Sequence, residues 1–494
     1  MVYIPPIEKT ATFAQNPTTM KSNLLITIAL ALFGLSASAQ YTKILDFAGI
    51  ANGRSPYGDL IFDGTFLYGM TQYGGTNDSG IIFKVKPDGT GFAKLFDFNS
   101  TNGAYPLGTL ISDGTFLYGT TSIGGSKTNC FAGCGVLFKI KTDGTGYSKL
   151  HDFTGIATSP PSADGARPTG NLITDGTYLY GPTYAGGSPY TNDGTIFKIK
   201  TDGTGYVDLF DFNGSTGYPP SALIFDGTYL YGMTENGGAS NDGVIYRIKT
   251  DGTGYVKLYS FGGVPDGYNP SYSLISDGIF LYGMTMYGGA STNCMGGCGI
   301  IFKINANATG YLKLHDFGNA LDGNTPLGSL VFDGTYLYGM TQSGGGAGNG
   351  MLFKIKQDGT GYGDLLDFAG ATNGSSPTGS LFLNGGCLYG MTSQGGANDY
   401  GTIFKYGIAT DINENNIEAG FNMYPNPSSG NFIFNSKIAE GEINIFNLIG
   451  EKVYSEKTNS DKAEIDLSNR QNGIYFVHIT SEKGSSVKKI IINR

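Results

Sequence analysis

Tryptophan is absent from this chain, histidine occurs only three times in 494 residues, and charged residues make up only 14%. With so few imidazoles, a Ser-His-Asp set has almost nothing to draw on. Long apolar runs are also missing. The segment from Leu24 to Leu35 holds 12 residues, short of the roughly 20 that span a bilayer, and no other stretch approaches that length. Basic charge is in deficit as well. Formal net charge is −9, and residues 41–407 carry 20 Lys and Arg against 28 Asp and Glu, a net of −8. A surface of that sign repels phosphate, so nucleic acid is not an expected partner.

What the chain does have is glycine and aromatic rings, with 80 Gly, 33 Tyr and 31 Phe. Glycine supplies the positive φ of tight turns and aromatic residues pack well on pleated surfaces, so many short strands are expected. The glycines follow no three-residue period, which excludes a collagen-like helix. Hydrophobic residues reach 40% and are evenly spread, which excludes wholesale disorder.

The first 39 residues read as an address. From Met20 the sequence runs MKSNLLITIALALFGLSASAQ, with a basic Lys21, an apolar core and an Ala37-Ser38-Ala39 cleavage site. This is a secretory signal peptide behind an over-extended start, and the mature chain is expected from about Gln40.

The main signal is internal repetition. Leu-Tyr-Gly recurs with its tyrosine at Tyr68, Tyr118, Tyr180, Tyr231, Tyr282, Tyr338 and Tyr389, at spacings of 50, 62, 51, 51, 56 and 51 residues. Each unit contains four strand-like pieces, in the second repeat GTLIS (a), FLYGTT (b), VLFKIK (c) and YSKLHDF (d). Asp-Gly joins a to b and Asp-Gly-Thr-Gly joins c to d, both tight hairpin turns. One c–d turn departs from the pattern as Asn307-Ala308-Thr309-Gly310. Four antiparallel strands in about 50 residues is the size of a propeller blade. The last repeat stops after Lys405 without a d piece, while an orphan d piece, Tyr41 to Phe47, precedes the first. The expectation is an all-β, seven-bladed β-propeller at 41–407, closed by its N-terminal strand, since closure removes exposed sheet edges.

Strand order then assigns the loops to faces. The a–b and c–d turns share one face and hardly vary. The b–c and d–a connections share the opposite face, which is the expected place for a site. Proline stands four residues before each a-strand leucine, from Pro56 to Pro377, and a threonine recurs after Leu-Tyr-Gly-Met, as at Thr71 and Thr285. Both read as blade supports. Polar residues that differ between repeats are the ligand-binding candidates: Arg54, Asp164, Arg167, Glu235, Asp266 and Asp322, with Tyr184 and Tyr287 as stacking surfaces beside Tyr73, Tyr190 and Tyr400.

Cys130 and Cys134, like Cys294 and Cys298, lie in b–c loops of an exported chain, and two local disulfides are expected. Zinc is the weaker alternative, since no histidine is near. Cys387 replaces an aromatic residue and is expected to be a buried free thiol; His151 and His315 replace aromatic residues of strand d and read as packing. Asn-Asp pairs at 77–78, 192–193, 241–242 and 398–399 offer oxygen donors for Ca²⁺. One Asp per loop is thin for that ion, and Asn-Asp-Gly is an ordinary turn. No cofactor and no catalytic residue is assigned.

After Tyr406 the repeat pattern ends, residues 408–420 read as a polar linker, and 421–494 alternate as a small β-sandwich. Tyr424-Pro425-Asn426-Pro427, Gly450, Gly473, Tyr475 and the basic end resemble a type A sorting domain of the type IX secretion system. That resemblance implies the secretion machinery as a partner, passage through the outer membrane of a Gram-negative bacterium, removal of the tail, and release or attachment at the cell surface. The repeats, with LYGMT, Gly-Gly and DGTG motifs, resemble the GloVer tandem-repeat family, which implies a surface location without a set activity. The expectation is a monomeric, non-catalytic binding or adhesion module for a glycan or protein. The alternative is an extracellular hydrolase or lyase acting on carbohydrate with carboxylates at the propeller mouth.

Overall fold

A computed structural model describes residues 41–127, 129–130, 132–155, 164–187, 192–270, 272–318, 322–408, 421–435, 441–447, 452–481 and 484–493. The signal segment, Tyr190 and Gly450 lie outside the described residues. Every regular element among the described residues is a strand.

Residues 41–407 form seven antiparallel sheets, each in the order a-b-c-d. The second repeat is representative: Ile111–Ser112, Phe116–Thr121, Val136–Lys141 and Ser148–Asp152 are neighbours in that order. The orphan strand Tyr41–Asp46 pairs with Thr402–Gly407, Tyr41 facing Tyr406 and Asp46 facing Thr402, so the two ends of this region share one sheet. Strand a differs from the single piece expected. In the first repeat it is broken into Arg54–Pro56 and Ile61–Phe62, both paired with Leu67–Tyr73. In the sixth it is one strand, Asn324–Phe332, with a register shift between Leu327 and Val331. The residues between, 57–60 in the first repeat and 328–330 in the sixth, bulge out of the ladder just after the paired proline.

Seven hydrophobic clusters lie between the sheets. One joins Leu67, Ile81 and Phe83 of the first repeat to Tyr389, Met391 and Ile403 of the seventh. The others join first to second, second to third, and so on to sixth and seventh. The glycine of Leu-Tyr-Gly lies under the strand-c aromatic: a Cβ on Gly119 would sit 2.7 Å from the Phe138 ring. That contact explains why no larger residue stands there.

At the tail, Asn422–Tyr424, Asn431–Asn435 and Lys462–Asp466 form one sheet, and Gly441–Asn447, Lys452–Thr458, Gly473–Ser481 and Gly484–Ile492 another. The two share a core that includes Phe421, Phe434, Ile445, Val477 and Ile490.

Candidate functional site

Most polar groups that recur in every repeat are occupied within the fold. In six repeats the Leu-Tyr-Gly tyrosine donates to the a–b turn aspartate, from Tyr68 to Asp63 at 2.8 Å through Tyr338 to Asp333 at 2.7 Å. The same carboxylate caps its own turn; Asp113 accepts from the Thr115 and Phe116 N–H groups. Burial works against ionisation of Asp113, but these bonds and that from Tyr118 hold its carboxyl below the ordinary value. The strand-c cation lies over the ring opening strand b and bridges to the next repeat. Lys139 is 4.9 Å from the Phe116 ring and donates to the Thr201 carbonyl at 3.2 Å.

On the opposite face the sequence candidates separate into two sets. Asp164, Asp266 and Asp322 occupy one equivalent position, where each carboxylate closes the d–a turn by accepting from a backbone N–H: Thr154 at 2.6 Å, Gly262 at 3.0 Å and Gly318 at 2.8 Å. Asn52, Asn102, Thr216 and Asn373 do the same in the other repeats. Asp164 and Asp322 also pair with His151 at 2.7 Å and His315 at 3.5 Å, and those imidazoles stack on Tyr206 and Tyr362 at 4.0 and 3.9 Å. Burial pulls the His315 pKa down against the attraction of Asp322.

The second set faces outward. Arg54 makes a two-pronged bond to Asp78 at 3.0 and 2.6 Å and lies over Tyr73 and Tyr400 at 4.7 and 5.9 Å. Arg167 lies 5.3 Å over Tyr184, and Tyr287 stacks on Tyr268 at 5.4 Å. Tyr184 and Tyr400 are 41% and 38% exposed, enough ring surface to meet a ligand. The Asn-Asp loops close on themselves: Asp78, Asn192, Asn241 and Asp399 each accept from a Gly N–H within 3.0 Å. Among the described residues no three His, Cys, Asp or Glu are grouped to hold a metal ion.

Between the first and second repeats is an open hollow of about 610 Å³, lined by Ser79, Ser100, Ala104, Tyr105, Lys127 and Cys130 among others. Cys130–Cys134 is a disulfide and stiffens its rim, and Cys294–Cys298 is its counterpart three repeats on. Cys387 is free, and half-buried rather than fully buried as expected.

The sequence did not mark the contacts made where the bulged inner segments of neighbouring repeats meet. A Cβ on Gly58 would be 2.3 Å from the Gly108 carbonyl oxygen, and one on Gly379 would be 2.5 Å from that of Gly58, so glycine is required there. The residue after this position, which is glycine in all these repeats but the fifth, donates its N–H to a side chain of the next repeat: Asp59 to Thr109 (2.8 Å), Thr109 to Asn171 (3.0 Å), Ser273 to Ser329 (3.1 Å), Ser329 to Ser380 (2.8 Å) and Ser380 to Asp59 (2.5 Å). Asn171 also donates across to Asp59 at 3.1 Å. Burial pushes the carboxyls of Glu235, a sequence candidate, and of Asp59 above the ordinary range. Tyr272, in the glycine position of the fifth repeat, was the available signal for this region.

Profile comparison matches the Gloeobacter/Verrucomicrobia repeat to residues 31–164, 130–296, 192–334 and 280–422. The chain belongs to the Gloeobacter/Verrucomicrobia repeat family. A secretion system C-terminal sorting domain matches residues 422–493, which makes this repeat protein a type IX cargo delivered to the outer cell surface. In that domain the Asn426 side chain donates to Lys489 O at 3.0 Å and accepts from Ile491 N at 2.8 Å, so the Tyr-Pro-Asn-Pro motif pins the last strand. Tyr475 donates to Gln471 O, and Gly473 faces Ile492.

Among curated proteins, ulvan lyase NLR42 of Nonlabens ulvanivorans is 33% identical over 78 residues, which is 15% of either chain. Among solved structures, oligogalacturonate lyase of Vibrio parahaemolyticus superposes with a TM-score of 0.50 at 11% identity, over 76% of this chain and 94% of that one. PorZ, a surface component of the type IX secretion system of Porphyromonas gingivalis, gives 0.47 at 15% identity, over 91% of this chain and 61% of PorZ. The likeness to the Vibrio protein is one of fold.

Proposed function

We propose that residues 41–407 form a closed seven-bladed β-propeller and that this exported, monomeric repeat protein is a non-catalytic binding module for glycan or protein ligands. Closure is supported by the pairing of Tyr41–Asp46 with Thr402–Gly407, by the cluster joining first and seventh sheets, and by the Ser380-to-Asp59 bond. The polar linker 408–420 then carries the sorting domain, 421–494.

The observation that carries the binding reading is the hollow beside Cys130–Cys134. Its volume of about 610 Å³ suits a small ligand. Its named walls offer hydroxyls, the Tyr105 ring and one amine, Lys127, without a carboxylate or imidazole for proton transfer. The test is a glycan-array screen of the exported chain, with every hit checked for cleavage products. Saturable binding without turnover is the expected result; turnover would overturn it.

A carbohydrate-active enzyme is the second reading, and it rests on Asp59 and Glu235. Carboxyls whose pKa values burial has raised are the raw material of acid–base chemistry.

A further inference from the structure

One backbone position on the variable face is built alike in six repeats and carries very different side chains. The residue before the inner-strand proline has φ between 50° and 55° at Ser55, Tyr105, Arg167, Asn269, Thr325 and Ser376. Each donates its N–H to a b–c loop carbonyl of a neighbouring repeat, Arg167 to Cys134 O at 2.8 Å and Tyr105 to Ser79 O at 3.0 Å among them. The scaffold fixes the position and leaves the side chain free to differ. A bulky residue in the left-handed region is strained, and such strain persists where the surroundings or the function demand it. The two bulkiest stand in adjacent repeats, as Tyr105 and Arg167. Both adjoin the disulfide loop, since Tyr105 shares the hollow's wall with Cys130 and Arg167 is bonded to Cys134.

The Tyr105 ring is braced. It packs edge-to-face on Tyr73 with centroids 4.9 Å apart, and Arg54 lies over Tyr73 at 4.7 Å. Beside Tyr105 the hollow of about 610 Å³ presents the hydroxyls of Ser79 and Ser100 and the amine of Lys127. The carboxylates of the surrounding loops are engaged elsewhere. Asp78 is held by Arg54, Asp97 by Lys94 and Thr76, and Asp152 by Lys149 and Ser126. Lys127 is exposed and has no ion pair among the described residues; the same holds for Arg167.

A hollow whose one charged wall group is an unpaired cation favours anions. The net charge of −8 over residues 41–407 acts the other way. At about 0.15 M salt, however, charges more than about 8 Å away are largely screened. The nearest charge decides. A tyrosine ring beside an ammonium suits a sugar ring that bears an acid group. The apolar face of the sugar covers the aromatic ring, and the acid takes charge-assisted bonds from the amine. We propose that the hollow beside Cys130–Cys134 binds an acidic sugar unit, its carboxylate or sulfate ester at Lys127 and its ring against Tyr105. Arg167 supplies a second cation at the same loop for a chain that carries one acid per sugar. This assignment rests on the glycan-binding reading and names its ligand class.

The test is calorimetric titration of the full exported chain at about pH 7 and about 0.15 M salt, where sugar acids are ionised. The probes are three β-1,4-linked tetramers of one ring geometry: neutral mannose, mannuronate, and mannose sulfated at its 6-oxygen. The better acidic tetramer should bind at least about tenfold tighter than the neutral one, and which acid binds better identifies the source of the anion. Lys127→Gln should bring all three within about threefold of one another and leave the melting temperature unchanged, as exposed substitutions do. Tyr105→Ser installs the residue of the first and seventh repeats, so it should keep the fold while weakening all three about fivefold. Equal affinity for neutral and acidic tetramers, binding of none, or a preference that survives Lys127→Gln would overturn the assignment. Neutral binding that falls with Tyr105→Ser but ignores Lys127→Gln would also overturn it, while leaving the glycan-binding reading standing. Cleavage of a bound acidic tetramer would overturn the non-catalytic reading alone.

Discussion

The two faces of the repeat region are built by opposite rules. On the a–b and c–d face one solution is copied from repeat to repeat: an aspartate caps its turn and receives the tyrosine hydroxyl of the neighbouring strand. On the other face the backbone is equally repetitive, yet the side chains performing one task change. Seven repeats close the d–a turn with Asn, Asp or Thr. Identical residues mark a place where three bonds must be met by one side chain. Varied residues mark a place where a single acceptor suffices, which leaves room for specialisation.

The sharpest way to test that contrast is to remove one copied aspartate. Asp113→Ala strips the caps from Thr115 and Phe116 and leaves the Tyr118 hydroxyl unpaired, for an expected loss of about 2–4 kcal/mol in thermal or urea unfolding. Asn384→Ala, in the one a–b turn without this aspartate, should cost under about 1 kcal/mol. Equal losses would erase the distinction. The Asp113 carboxyl is held below its ordinary 3.8, so its contribution is complete above that pH and is lost as pH falls through the depressed value.

Cutting a staple on the variable face comes next. Cys130→Ser with Cys134→Ser opens a link spanning four positions of sequence. The expected cost is about 2 kcal/mol, with faster protease cleavage near residue 130. An unchanged melting temperature and cleavage rate would show that the rim is stiff without the bond.

The third test exploits an exception on the outer strands. Lys43, Lys94, Lys149 and Lys313 pair with the aspartate three residues on, at 2.6–2.8 Å. The third repeat has Asp208 opposite Asp211 instead, and burial followed by that like charge pushes the Asp208 carboxyl up to about 8. Because the folded value exceeds the unfolded one, this stability is full below pH 3.8 and lost as pH rises toward 8. Asp208→Asn fixes the neutral form. It should raise the melting temperature by about 2–4 °C at pH 8 and leave it unchanged at pH 4. A gain at both would assign the effect to something other than charge. Smallest of all, Arg54→Ala removes an exposed pair and should cost under about 1 kcal/mol, less still in high salt.

Much of the all-β framework was legible because turns and strands leave local marks. Asp-Gly, Leu-Tyr-Gly and the proline before strand a each impose their geometry within a few residues. The broken inner strand was less visible, because the bulge follows from neighbouring repeats crowding at Gly58 and Gly108 rather than from local preference. The candidate residues show the same limit. Asp164, Asp266 and Asp322 differ in type from Asn52 and Asn373, but position shows that they accept the same kind of bond. Asp59 meets Asn171 and Ser380 only through long-range folding, at sequence separations of 112 and 321. Tyr272 was within reach of inspection: it interrupts a Pro-x-Gly-x-Leu pattern that five repeats keep.

The shared sheet of Tyr41–Asp46 and Thr402–Gly407 bears on survival outside the cell. In a linear string of domains, one proteolytic cut sheds everything beyond it. Here each sheet packs against two others, and the first strand is zipped to the last. In the closed ring proposed above, a single nick in any connecting loop would leave both pieces gripped at two seams, so the cut alone would free neither.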